Sequence, residues 1–171
     1  MKSFSIFILI TASTICSTLH AQSGDSTRLG YRPNSLFVEV FSGPVLYSVN
    51  YQKVLLTRRN IAFSYRLNGS FLPDYQSIGG YAGLLWGKQR KALELMLGSG
   101  LYRTRGAAAS IIVDGSVDDH LFLNPQIGFR GERSKDRLLV RATFSPWVLL
   151  GQEFGKIRLS PGFGFSIGKT F

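Results

Sequence analysis

From residue 35 onward, apolar and polar residues alternate along most of the chain with a period of two. The clearest example runs from Ile61 to Phe71, where aromatic and aliphatic residues take every second position and mostly small or polar residues take the others. A period of two places successive side chains on opposite faces of a β-strand. The pattern predicts eight strands, at about 35–42, 45–56, 60–72, 75–88, 91–104, 121–132, 137–149 and 157–171.

The connections between these segments alternate in length and composition. Three are short and basic, at 57–60, 88–91 and 132–137, and the connections between them include longer ones at 73–76, 104–120 and 151–156. An even number of strands with short turns at one end and longer loops at the other is typical of an up-and-down barrel. We therefore expect an all-β, eight-stranded antiparallel up-and-down barrel.

The composition of the two faces indicates which one points outward. The polar face carries Ser, Asn, Gln and Gly with a few Arg and Glu, whereas a water-facing exterior usually carries many Lys and Glu. Small residues suit the narrow lumen of an eight-stranded barrel. The apolar face carries aromatic residues of the kind that border the lipid-facing band of membrane barrels, namely Tyr47, Tyr51, Phe63, Tyr65, Phe71, Trp86, Phe129 and Phe144. These faces predict a transmembrane barrel, and a soluble barrel of the lipocalin type is the alternative.

The N-terminus has the pattern of a secretory signal peptide. Met1 and Lys2 precede a nearly unbroken apolar run from Phe4 to Ile15, and small and polar residues follow up to Ala21. The run is too short to span a membrane. We expect a signal peptide at 1–21, a short leader at 22–34 and the barrel domain at 35–171. Cys16 is the only cysteine, so the mature chain would contain neither a disulfide nor a thiolate metal site.

The chain is strongly basic, with 20 Lys and Arg against 10 Asp and Glu. Such an excess often indicates a nucleic-acid partner. Here the export signal argues against nucleic acid, and much of the excess lies in the turns, where a charge run is normally a solvated surface. The expected location is the outer membrane of a Gram-negative bacterium. The expected partners are outer-membrane lipid and lipopolysaccharide, with the protein a monomer.

Several stretches resemble the small outer-membrane β-barrel proteins of Bacteroidota-type bacteria, most of which are uncharacterised. They lie at 41–51, 92–100, 123–130, 141–146 and 161–168. The resemblance implies a fold and a location but no activity. The chain also ends on Phe171. Ile167, Lys169 and Phe171 occupy every second position and therefore share one face of the last predicted strand. A terminal aromatic of this kind resembles the signal that the barrel-assembly machinery reads, which makes that machinery an expected partner during biogenesis.

Six charged residues fall on the face predicted to point into the lumen. Buried charges must be paired, so we expect a network that fills the barrel and fixes its shape. The alternative is a narrow pore whose surplus positive charge would favour anions. The six residues are Glu39, Arg66, Glu94, Arg130, Arg141 and Arg158.

The connection between the fifth and sixth strands carries a second group of reactive residue types. Asp114 and Gly115 form a tight-turn signal between β-formers. Asp118, Asp119 and His120 follow, and a His near Ser and Asp raises a lipid-modifying enzyme or a divalent-cation site as alternatives. No enzyme motif and no EF-hand spacing is present, and Asp and Ser are also what turns require. We therefore expect no catalytic, cofactor or metal site.

Three prolines interrupt the predicted strands. Pro125, Pro146 and Pro161 each lack the N–H that a strand donates to its neighbour. We expect the strands to fray or bulge at these residues, close to the ends that carry the longer loops. Taken together, the sequence predicts a non-enzymatic membrane barrel with a structural or surface-interaction role. The pore and the enzyme are the alternatives.

Overall fold

The computed structural model describes residues 32–42, 45–73, 75–88, 91–104, 118–133, 135–150 and 157–171. The predicted signal peptide, and the leader up to residue 31, lie outside this part of the chain. Among the described residues, no helix is long and apolar enough to cross a membrane. The strands are β1 Asn34–Ser42, β2 Val45–Arg58, β3 Ile61–Phe71, β4 Tyr75–Lys88, β5 Lys91–Thr104, β6 Asp118–Glu132, β7 Leu138–Phe144, β8 Trp147–Leu150, β9 Ile157–Ser160 and β10 Phe163–Thr170.

The strands form one closed antiparallel sheet. β1 to β5 pair in sequence order, β6 pairs with β5, and β10 pairs with both β7 and β1, which closes the ring. β7 and β8 are two parts of one barrel strand, and so are β9 and β10, because each pair is separated by two residues and continues along the same neighbour. The result is the eight-stranded up-and-down barrel that the alternating pattern predicts.

The two faces of the wall have the predicted orientation. In β3, Ile61, Phe63 and Leu67 are exposed, whereas Ser64 and Arg66 are buried inside. The same alternation runs along β6, β7 and β10. The polar face therefore lines the lumen, and the apolar face covers the outside of the barrel.

The lumen also holds apolar side chains that the alternating pattern did not place there. Phe122, Tyr102 and Trp147 pack together, with the rings of Phe122 and Trp147 centred 4.3 Å apart. We call the buried group to which they belong the aromatic cluster; its members are Val45, Tyr81, Met96, Tyr102, Phe122, Trp147 and Leu149. Val45, Tyr102 and Phe122 lie near the loop ends of their strands, so the aromatic cluster occupies that part of the lumen.

The prolines break two barrel strands but not the third. Pro146 separates β7 from β8, and Pro161 separates β9 from β10, whereas Pro125 remains within β6 and faces Leu97 of β5. The expected position near a loop end is wrong for Pro125, because β6 extends back to Asp118 and makes Pro125 its central residue. The interruptions at Pro146 and Pro161 follow from the missing N–H of proline.

Candidate functional site: the charged lumen

The structure brings five of the six predicted lumen charges into one buried group. Glu39 lies on β1, Arg66 on β3, Glu94 on β5, Arg130 on β6 and Arg141 on β7, and each is at most 2% exposed. β5, β6 and β7 are neighbours in the wall, whereas β1 and β3 are each separated from this group by one further strand, so the side chains meet both along the wall and across the interior of the barrel. The backbone of the sixth, Arg158, lies in β9 opposite Leu149, and its side chain is outside the described part of the structure.

Glu94 on β5 contacts two arginines, Arg130 on the neighbouring strand β6 and Arg141 on the next strand, β7. The Arg141 Nη2 atom lies 2.5 Å from Glu94 Oε2, and the Arg130 Nη1 atom lies 3.8 Å from Glu94 Oε1. Gln52 donates from Nε2 to Glu94 Oε1 at 3.0 Å and accepts from Arg130 Nη1 at 2.8 Å. Glu94 and Gln52 therefore join β2 and β5 to β6 and β7 through charge-assisted hydrogen bonds.

Glu39 forms a second centre of the network. Its Oε2 atom lies 3.7 Å from Arg66 Nη1 and 4.0 Å from Arg141 Nη1, and Thr143 donates from Oγ1 to Oε1 at 2.8 Å. The carboxylate fits because residue 164 is glycine: a Cβ there would lie 2.4 Å from Glu39 Oε1. A glycine at this position therefore relieves crowding in the lumen.

Aromatic rings cover the arginine side chains from within the barrel. The Arg66 guanidinium lies 4.1 Å from the centre of the Tyr81 ring, and the Arg141 guanidinium lies 4.5 Å from that of Phe37. Arg66 also donates from Nη2 to Gln126 Oε1. Cation–π contacts of this kind stabilise a desolvated guanidinium. They also occupy the space through which an ion would pass.

Glu132 belongs to the network and was missed from the sequence. Its Oε1 atom lies 2.6 Å from Arg130 Nη2 and 3.0 Å from Arg130 Nε, and its side chain is only 2% exposed. The sequence places Glu132 at the start of a basic turn, but it also lies two residues after Arg130 on the same face of the strand. With Glu132 included, three carboxylates face three guanidiniums among the described lumen residues, so the surplus of positive charge expected there is not observed in that set.

The acidic and histidine group near the fifth connection is only partly described. Asp114 and the side chain of Asp118 are outside the described part of the chain. Asp119 forms an exposed ion pair with Arg103, with Oδ1 2.6 Å from Arg103 Nε, and the His120 ring stacks on Tyr102 with centroids 6.5 Å apart. No set of three or more His, Cys, Asp or Glu in the described ranges is arranged to hold a metal ion.

The geometry of the lumen supports a structural task for its charges. Each of the five charged side chains on β1, β3, β5, β6 and β7 has an ionic partner, and the group fixes five strands relative to one another.

In comparisons with known proteins, no family model matches the chain, and no significant match is found to a curated protein or a solved structure.

Proposed function

We propose that the protein is an integral outer-membrane β-barrel with a filled lumen. In this proposal it acts as a monomer without catalytic activity and contributes to envelope structure or to surface interactions through its longer loops. The observation that carries the proposal is the belt of exposed apolar side chains around a barrel whose lumen holds the buried charges of the network. We call these outward side chains the apolar belt.

The apolar belt extends over every part of the wall. Leu67 on β3 is 56% exposed, Trp86 on β4 is 61% exposed, and Phe165 on β10 is 59% exposed. Soluble monomers rarely expose continuous apolar surface on this scale. A lipid bilayer removes that cost, and a closed barrel leaves no strand edge unpaired in the hydrocarbon. The predicted export signal and the resemblance to small barrels of Bacteroidota-type bacteria support the same location.

A filled lumen is favoured over a pore by the pairing of its charges. A conducting pathway needs a water-filled route, and here ion pairs and aromatic rings occupy the interior between β1, β3, β5, β6 and β7. The equal number of described carboxylates and guanidiniums gives no basis for the anion preference that the sequence suggested. The narrow pore is therefore the weaker alternative.

The proposed location also defines the partners. The apolar belt would contact lipid chains, and the longer loops would lie among the sugars and phosphates of lipopolysaccharide. The barrel-assembly machinery would insert the chain and complete the closing joint, where Phe171 and Asn34 exchange two backbone hydrogen bonds.

The first test is heat modifiability in the outer-membrane fraction. We expect the full precursor, expressed in a Gram-negative host, to give a band in that fraction whose mobility on a gel changes on boiling. A membrane barrel resists detergent until it is heated because its wall is fully hydrogen-bonded. A soluble protein with no mobility shift would contradict the proposal.

Two further measurements separate the alternatives. Single-channel recordings on the purified barrel should show no conductance if the lumen is filled, and stable conductance would establish a pore. For the enzyme alternative, we expect lipopolysaccharide incubated with the protein to remain unmodified. Modified lipid with the native protein, but not with His120→Ala, would establish an enzyme.

A further inference from the structure

Pro125, Pro146 and Pro161 lie in one row of facing residues. The pairing of β6 ends at Ile127 with Phe144 and resumes at Leu123 with Val148, and both registers place Pro125 opposite Pro146. The registers of β7 with β10 and of β8 with β9 likewise place Pro146 opposite Pro161. We call the gap between β6 and the strand formed by β7 and β8 the proline seam.

The proline seam lacks the backbone hydrogen bonds that hold the rest of the wall together. Neither Pro125 nor Pro146 has an N–H to donate. Side chains from the lumen take their place: Asn124 donates from Nδ2 to the Pro146 carbonyl at 3.0 Å, and Gln126 donates from Nε2 to Ser145 Oγ at 3.2 Å. Two neighbouring strands are thus joined here by rotatable side chains, which separate at lower cost than a β-ladder.

A groove on the outside of the barrel leads to this seam. Pro125, Pro146, Leu97 and Phe144 form part of its lining, and so do Gln126 and Met96, whose side chains are buried in the lumen. Met96 is also a member of the aromatic cluster. The groove is therefore lined both by residues of the apolar belt and by residues whose side chains are buried in the lumen.

The interior side of the seam holds a polar group without a partner. Trp147 directly follows Pro146, is 1% exposed, and its indole N–H makes no hydrogen bond. Buried indole N–H groups usually find an acceptor. Met96, another member of the aromatic cluster, has an unbranched side chain that adapts to different packing arrangements. The interior beside the seam thus combines these apolar side chains with the polar side chains of Asn124, Gln126 and Ser145, and it leaves the indole N–H unsatisfied.

From these observations we propose that the proline seam is a lateral binding site for the acyl chain of a membrane lipid. The chain lies in the groove, displaces the hydrogen bond between Asn124 and Pro146, and contacts Met96 and Trp147 from the side. The occupant follows from continuity, because the rim of the groove belongs to the apolar belt. This inference rests on the proposed membrane location.

Quenching of tryptophan fluorescence by brominated lipid chains tests the site. Trp86 and Trp147 are the only tryptophans, so Trp86→Phe leaves a reporter at the seam and Trp147→Phe leaves one on the apolar belt. The barrel, expressed from the full precursor and purified from membranes, is reconstituted in phosphatidylcholine with or without bromine atoms on the acyl chains. We expect quenching of Trp147, and a loss of that quenching when Pro125→Val and Pro146→Val restore the two N–H donors.

A second variant acts in the opposite direction and does not depend on the proline replacements folding. Asn124→Ala removes the side chain that closes the seam, so quenching of Trp147 should increase. Asn68→Ala, a lumen-facing change on β3, is the matched control and should leave quenching unchanged. Quenching of Trp147 that is absent, or that is the same with and without Asn124→Ala, would overturn the inference.

The reporter at Trp86 distinguishes a failure of the lateral site from a failure of the proposed membrane location. If Trp86 is quenched and Trp147 responds to neither variant, the barrel is in the membrane and only the lateral site is wrong. If Trp86 is not quenched either, the proposed membrane location fails, and the lateral site fails with it.

Discussion

The two halves of the barrel wall are built differently. We call β1 to β5 the continuous wall, since its neighbouring strands are paired along nearly their full lengths, with one register shift between Val54 and Leu56. We call β6 to β10 the interrupted wall, since two of its three barrel strands are broken at prolines. Both walls carry the same apolar exterior. The difference shows that an alternating exterior does not require a complete ladder, provided lumen side chains supply the missing hydrogen bonds.

The largest expected effect comes from placing a proline in the continuous wall. Ala82 faces Leu97, which in turn faces Pro125, so the three residues share one row across β4, β5 and β6. In the proposed membrane location, Ala82→Pro should lower the free energy of unfolding by about 4–7 kcal/mol, because it would leave a backbone group unpaired in a nonpolar medium. Urea titration in lipid vesicles measures this. If Ala82→Pro lowers the free energy of unfolding by less than Ala82→Val does, the continuous wall does not depend on its backbone hydrogen bonds.

Removing the carboxylate that joins the two walls should have the next largest effect. Glu94 on the continuous wall pairs with Arg130 and Arg141 on the interrupted wall. Glu94→Ala should cost about 3–5 kcal/mol in unfolding free energy, since it leaves buried guanidiniums uncompensated. Asp119→Ala, which breaks the exposed pair with Arg103, is the control and should change stability little. Equal effects of the two variants would contradict a stabilising lumen network.

A charge on the outer face of the continuous wall tests the apolar belt. Leu67, in the middle of β3, is 56% exposed. In the proposed membrane location, Leu67→Arg should cost about 2–4 kcal/mol in unfolding free energy, and Leu46→Arg, near the loop end of β2, about 0–1 kcal/mol. Unfolding in vesicles measures both. If both are equally tolerated, the apolar belt does not face lipid.

The smallest expected effect comes from restoring a donor in the interrupted wall. Pro125→Ala returns one N–H to the proline seam, where the Pro146 carbonyl already accepts from Asn124. The free energy of unfolding should increase by about 1 kcal/mol or less, which is the net contribution of one hydrogen bond to stability. The sign is opposite to that of Ala82→Pro in the same row. A marked loss of stability would mean that the interrupted wall needs its proline for packing.

The sequence predicts the strands and faces well because both depend on local patterns. The period of two places Glu39, Glu94 and the arginines inside without any knowledge of their partners. Parity assigns a face but not a depth, so it does not show that Glu132 reaches Arg130 or that Trp147 packs on Phe122. Those contacts depend on side-chain volume and on how strands are offset around the ring. One signal was available: Pro125 and Pro146 are equally distant from the turn at Lys135 and Asp136, which places them face to face.

The lumen network also constrains how the barrel can assemble. Thr143 and Glu39 are 104 residues apart in the chain, Arg130 and Gln52 are 78 apart, and Arg141 and Glu94 are 47 apart. Arg130 has partners on its own strand and on the neighbouring β5, but the acidic partners of Arg66 and Arg141 lie on strands that do not pair with theirs. In the proposed membrane location, a half-built sheet would therefore carry unpaired guanidiniums into the hydrocarbon. Charged side chains near the centre of a bilayer are costly. In the proposed location we therefore expect insertion and closure of the barrel to be coupled, since the network forms only when distant parts of the chain come together.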